Sequence, residues 1–484
     1  MVIRGKRRPL VQGMISVLIA AVLLLGTAPG LAESPSNSNS DIAFPDPAEL
    51  VFPPIEFTPS EPERVELENG MVLYLLEDHE LPIVEARAFI RADSVYDSLD
   101  KAGLASLTTQ VMRTGGTERM TGDELDERLE FLAASASTSR FSTLTEHLDE
   151  VIGIFADILM HPVFEAEKLE LAKQRTLERI RRENDRPTQV AVREFTKRVT
   201  EGHPLSRFST EETIRNITRE DLVQFHQRFY HPNNLVLAVA GDFQTDELIE
   251  KIQTAFAEWE PVEIDFPEIP PLGPESERVV YYAPKQVGQS TIIMGHPALQ
   301  QRDPDFTPFT LMNRILGGSP AADDRLFREI RARRGLAYAV GSFLSGGQRF
   351  RGIFGAFSIT RADATGTAIQ LLLEELERIR TEPVSQGELE KTKNAIINRF
   401  VFQYTSALQI AARAASLEYN DLPQDYDRTF LEQVRDVTSE EIMRVAQQYL
   451  RPDEIVIMVG GDRELFDLDL EIFGEVVTID LEQE

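Results

Sequence analysis

Two stretches of this 484-residue chain repeat one another at a constant offset of 220 positions. Thr218-Arg219-Glu220-Asp221-Leu222, ahead of a run from Pro232 to Gly241-Asp242, returns as Thr438-Ser439-Glu440-Glu441-Ile442 ahead of a run from Pro452 to Gly461-Asp462. The match runs without an insertion or deletion, and positions 218, 220, 227, 232, 236, 239, 241 and 242 are identical to their partners. In each copy a Thr with an acid three residues on opens a helix, a Pro stops it, and a β-branched run ends at Gly-Asp. A constant offset is what tandem duplication leaves, so the chain must fold as two copies of one unit. The stretch from Pro261 to Pro274 holds prolines at 261, 267, 270, 271 and 274, the mark of a stiff extended linker between the copies.

Within the first copy, Asn69-Gly70 joins two alternating runs as a hairpin turn, and Val84, Ala86, Ala88 and Ile90 line one face of a third strand. Helical segments follow at Lys101 to Met112, after Thr121 with Glu124, from Leu144 to Met160, and from Glu165 to Arg182. Strands, then helices, then a closing strand predict an α+β fold: two homologous domains, each a mostly antiparallel sheet covered by helices, facing each other across the linker. The boundaries read as 63–260, linker 261–276, and 277–484.

Upstream, Arg4, Lys6, Arg7 and Arg8 precede the apolar run Met14 to Leu25, and Gly30-Leu31-Ala32 places small residues at a cleavage site. Residues 1–32 therefore read as a signal peptide. The apolar run is too short to span a bilayer comfortably, so no stable membrane span is expected after processing. Residues 33–62, rich in Ser, Pro and Asn, read as a disordered tether. The expected location is outside the cytoplasm, periplasmic or extracellular. Fifty basic against eighty acidic residues give a net charge of −30, and such a field repels phosphate backbones, which argues against nucleic acid. The chain has no cysteine, so disulfides, thiol catalysis and Cys-ligated metals are excluded.

Seven histidines, at 79, 147, 161, 203, 226, 231 and 296, are available, and none sits in an H-E-x-x-H or H-x-x-E-H pair. The nearest approach, His147-Leu148-Asp149-Glu150, has Val151 where the second imidazole would be needed. One imidazole and one carboxylate do not make a zinc shell. His161-Pro162, His203-Pro204 and His231-Pro232 read as helix-ending pairs. Neither G-x-S-x-G, a Walker loop nor G-x-G-x-x-G is present, which removes the commonest hydrolase and nucleotide sites.

Gly103-Leu104-Ala105-Ser106-Leu107-Thr108-Thr109-Gln110-Val111-Met112, with Gly115-Gly116-Thr117 after it, resembles the G-L-A-H-x-x-E-H-M…G-T signature of the pitrilysin/insulinase metallopeptidases, which include the mitochondrial processing peptidases. His161-Pro162-Val163-Phe164, His203-Pro204-Leu205, Leu316-Gly317-Gly318, Arg325 to Arg331 and Gly335-Leu336-Ala337-Tyr338 extend the resemblance from about Arg64 to Asp462. It implies that Ser106 and Gln110 occupy the two histidine positions, Thr109 that of the catalytic glutamate, and Gln189 that of the third zinc ligand. Neutral Ser, Thr and Gln supply neither strong donors nor a base, so no catalytic residue and no metal ligand is expected in this chain.

The resemblance also implies a peptide-binding pair, because Arg331 and Tyr338 match the family's R-x6-Y spacing. The residues alone favour the other reading, in which Arg331 belongs to a solvated basic face with Arg328, Arg333 and Arg334 and Tyr338 is a strand aromatic. The resemblance therefore implies an exported non-catalytic subunit of a heteromeric zinc metallopeptidase. Such a chain would form a heterodimer with an active H-x-x-E-H subunit that holds the zinc, and would help enclose a peptide substrate. The alternatives are a structural or chaperone-like module with no role in proteolysis, and a peptidase with a relocated metal site.

Overall fold

The computed structural model describes residues 59–183, 185–272, 277–319 and 323–481. The signal peptide, nearly all of the tether and the end of the linker lie outside the described residues. The first unit runs β1 (Glu63–Glu66), β2 (Val72–Glu77), β3 (Ile83–Ile90), α1 (Leu104–Thr114), α2 (Gly122–Phe131), β4 (Ser135–Ala136), β5 (Arg140–Leu144), α3 (Leu148–Met160), α4 (Ala166–Glu183), α5 (Pro187–Val199), α6 (Glu211–Asn216), α7 (Arg219–Phe229), β6 (Leu235–Gly241) and α8 (Thr245–Ala255). The second runs β7 (Val279–Pro284), β8 (Gln289–Pro297), α9 (Phe306–Leu316), a π-helical segment Phe327–Arg333, β9 (Ala337–Ser345), β10 (Ile353–Arg361), α10 (Thr365–Thr381), α11 (Gln386–Phe400), α12 (Ala407–Tyr419), α13 (Tyr426–Asp436), α14 (Ser439–Tyr449), β11 (Val456–Gly461) and β12 (Glu475–Thr478).

Each unit is built on a six-stranded sheet, with orders β1-β2-β6-β3-β5-β4 and β12-β7-β11-β8-β10-β9. The closing strand of each repeat, β6 or β11, inserts parallel to β2 or β7 and antiparallel to β3 or β8. Most pairs are antiparallel, as the sequence predicts, but parallel pairs run through both sheets. The edges differ. β1 pairs antiparallel with β2, whereas the second sheet takes the C-terminal β12 as a parallel neighbour of β7. Gly70 makes the β1–β2 turn at φ +80°, and a Cβ there would meet the Asn233 side chain at 2.8 Å.

Capping boxes at Thr121, Thr218 and Thr438 form as predicted. α1 begins later than periodicity suggests because Gly103 adopts φ +107°, a left-handed conformation that a helix interior does not accept. β4, β5 and α5 are not legible in the sequence. The strands are short, and the apolar residues of α5 serve a distant partner.

That partner is the other unit's sheet. α5 lays Val190, Ala191, Phe195 and Val199 on Ala283, Ile293, Val456 and Met458 of the second sheet. Reciprocally, α12 lays Ala411, Ala412 and Ala415 on Val72, Tyr74, Ala238 and Ala240 of the first. The unbroken apolar runs of β6 and β11 follow from this, since both faces of those strands are covered. Burying each larger side chain of such a contact contributes roughly 1.5–3 kcal/mol. Glu418 fixes the seam, accepting from Arg64 Nε and Nη2 at 2.8 Å and from Tyr74 Oη at 2.5 Å. The linker is held down as well. Val262 exchanges hydrogen bonds with the Asn233 amide at 2.9 and 3.2 Å, and Phe266 stacks beside Phe229.

Candidate functional site

α1 packs between α4 and α7. Leu104, Ala105, Leu107, Thr108, Val111 and Met112 face inward, so the 3.6-residue period turns the other side to solvent. Ser106 and Thr109 are exposed and Gln110 is half-buried, and the three share that outer side. The helix N-terminus is fixed from a distance, because the buried Asp97 carboxylate accepts from the N–H groups of Gly103 and Ala105 at 2.8 and 2.9 Å. Burial pushes Asp97 up to about 6 in spite of those bonds. Thr109 donates its hydroxyl to the carbonyl of Ala105 at 2.9 Å, and its oxygen lies 3.3 Å from the Tyr230 hydroxyl. Tyr230 is buried and stacked on His226, and burial raises its phenol above the ordinary value.

Gln189 is exposed near the start of α5, the helix that packs on β8 and β11. The residue types on the outer face of α1 do not fit zinc, since a Ser hydroxyl, a Thr hydroxyl already given to a carbonyl, and a Gln amide are neutral, weak donors. Among the described residues, no three His, Asp or Glu side chains converge where they could hold a metal ion.

The second unit presents a different face. The π-helical segment Phe327–Arg333 is a rare conformation that concentrates at functional sites. Its start is capped by Asp324, which accepts from the Phe327 N–H at 2.8 Å and which burial pushes up to about 6. Four arginines lie in or beside the segment, and three are engaged by carboxylates. Arg328 meets Glu388 at 2.9 Å, and Arg333 and Arg334 meet Glu329 at 2.9 and 2.7 Å. Arg331 is the exception. No carboxylate pairs with it among the described residues, and its guanidinium carbon lies 5.3 Å from the Phe327 ring centroid and 6.0 Å from that of Tyr338. Tyr338 is the second residue of β9 and is 69% exposed.

The structure thus brings Arg331 and Tyr338 together and separates Arg331 from the ion-paired face. A planar guanidinium and a phenol held side by side in solvent are fixed donors for peptide carbonyls. The nearby cluster of Arg325, Arg328 and Glu388 is not visible in the sequence. Arg325 is buried and bidentate on Glu388 at 2.9 and 3.1 Å, and the two guanidiniums hold the Glu388 carboxyl low against its burial. It ties the segment to α11. Its one sequence signal is an acid in the first turn of that helix.

Comparison with known proteins identifies the family and the fold. Residues 73–211 match the family model described as insulinase (peptidase family M16), and residues 216–396 match that of the peptidase M16 inactive domain. An uncharacterized zinc protease of Rickettsia bellii is 25% identical over 373 residues, covering 74% of this chain and 86% of that protein. A non-peptidase homolog of Helicobacter pylori is 22% identical, with 80% and 91% covered. Among solved structures, a peptidase M16 inactive domain from Pseudomonas fluorescens superposes with a TM-score of 0.75 at 24% identity, covering 83% of this chain and 98% of the other. With residues 73–211 and 216–396 matched in order by that family's two domain types, the chain belongs to the insulinase family, peptidase M16.

Proposed function

We propose that this chain is the exported, non-catalytic subunit of a heteromeric zinc metallopeptidase. It pairs with an active H-x-x-E-H subunit, which supplies the zinc, and uses Arg331 and Tyr338 to hold the backbone of the peptide. The carrying observation is that Arg331, alone among its arginine neighbours, has no carboxylate partner among the described residues and instead stacks with an exposed tyrosine. A guanidinium kept for surface stability would be paired as the other three are. Ser106, Thr109 and Gln110 on the outer face of α1 supply no base and no metal shell, so hydrolysis must be done by another chain. The Helicobacter pylori relative, described as a non-peptidase homolog, supports the same reading. Export rests on the basic and apolar pattern of residues 1–32.

Native co-purification with elemental analysis tests this. The expected result is a second chain of similar length with an intact H-x-x-E-H, zinc on that chain, and peptide hydrolysis only by the pair. A lone homodimer free of zinc would favour the structural-module reading, and stoichiometric zinc in the isolated chain would overturn the proposal. Mass spectrometry of secreted material should find the mature N-terminus at Glu33.

A further inference from the structure

A cavity of about 720 Å³ opens in the second unit beside α9 and α11, which pack together as α1 and α4 do in the first. Its acidic groups are all engaged. Asp323 is paired with Lys391 and accepts from the Ser319 hydroxyl at 3.0 Å, Asp324 caps the π-helical segment, and Glu388 holds Arg325 and Arg328. Two of its cations, Arg314 and Arg399, have no carboxylate partner among the described residues, and Arg314 donates to the carbonyl of Gly318 at 2.5 Å. Burial, with the Arg399 guanidinium nearby, pulls Arg314 below its ordinary value. Two guanidiniums lining one cavity without a carboxylate partner present charged donors to an anion placed there. In a chain with thirty excess negative charges, such a site is not a product of general composition.

The same cavity has an apolar wall of Ile315, Ile396, Phe400 and Phe430, the two rings stacked with centroids 6.2 Å apart. Gln403, at the edge, carries an amide that offers both a donor and an acceptor. A simple anion would leave the wall unused, and an alkyl carboxylate would leave the amide unused.

We propose that this cavity binds the free C-terminal carboxylate of a peptide whose last residue is apolar. Arg314 and Arg399 hold the carboxylate, Phe400 and Phe430 take the terminal side chain, and Gln403 takes the preceding amide. The inference goes beyond the pairing proposal, because binding is read on this chain alone and its failure says nothing about a partner.

The test titrates a labelled short peptide ending in Phe, as free acid and as C-terminal amide, into the purified full chain. The free acid is expected to bind at least about tenfold more tightly than the amide, and Arg399→Gln to remove about tenfold of that affinity, with weakening by salt. Arg399 is exposed, so the variant should keep its melting temperature, and Arg399→Lys should restore part of the binding. Equal affinity for acid and amide, or unchanged binding by a folded Arg399→Gln chain, would overturn the proposal. So would displacement by decanoate or inorganic phosphate at the peptide's own concentration, since either would show that the peptide body contributes nothing.

Discussion

The outer face of α1 and the face of the π-helical segment make an instructive pair. Both are exposed and both rest on a packed interior, yet one carries Ser106, Thr109 and Gln110 and the other carries Arg331 and Tyr338. α1 is held by Leu107, Val111 and Met112 and by the distant Asp97 cap, so its outward residues change at little cost in stability. Arg331 likewise contributes no ion pair to the fold among the described residues. Folding demands neither set, so on the proposed function the two faces differ in chemistry: one offers no group to act on a peptide bond and the other offers donors able to hold one.

The most direct way to break the comparison is to reverse it. Ser106→His, Thr109→Glu and Gln110→His together place ligands at i and i+4 on one helix face and should turn an absence of zinc uptake into binding measurable by elemental analysis. Peptidase activity should stay absent, because supporting groups and a positioned substrate are still missing. Adding Gln189→Glu, at the third ligand position that the resemblance implies, should tighten zinc further. Full hydrolysis by the quadruple variant alone would make the partner unnecessary.

Next in size is Arg331→Ala, which should leave the chain folded and assembled while lowering turnover of the assembled pair by about 10²-fold; Tyr338→Phe should act in the same direction by less. A loss confined to KM would mean ground-state positioning, and a loss in kcat would mean polarisation of the carbonyl. Both variants cleaving like the parent would end the peptide-binding role.

The exchange of helices between units sharpens the comparison from the stability side. Ala415→Leu on α12 and Ala191→Leu on α5 each overpack a buried contact with the opposite sheet and should each cost about 1–3 kcal/mol in urea unfolding. The transition should remain single, because each unit's sheet is covered by the other's helix. Two separated transitions in either variant would show that the units fold independently.

The smallest effect is a pH dependence. Asp97 titrates near 6 when folded and near 3.8 when unfolded, so between those values the folded chain binds more protons, and stability falls as pH rises through the window. Asp97→Asn lacks that loss. Its stability relative to the parent should improve by about 2 kcal/mol from pH 4 to pH 7, and a constant difference would show that the carboxyl is not desolvated.

Much of the architecture was legible because its determinants are local. A Thr and an acid three residues apart close their own hydrogen bonds, so the boxes at Thr121, Thr218 and Thr438 could be read directly, as could the turn at Asn69-Gly70. The duplication was equally plain, since it is a matter of spacing, and the neutral residues at the zinc-motif positions followed from the resemblance to the family. The sequence could not say whether Arg331 joined the basic face of Arg328, Arg333 and Arg334. That depended on Glu388 coming over from α11, and on Glu329 turning to Arg333 and Arg334 rather than to Arg331. Tertiary structure alone decided the crossing of α5 and α12, the recruitment of β12 to the second sheet, and the convergence of Arg314 and Arg399 on one cavity. Contacts of this kind join residues tens to hundreds of positions apart, and no periodicity along the chain encodes which of them will meet.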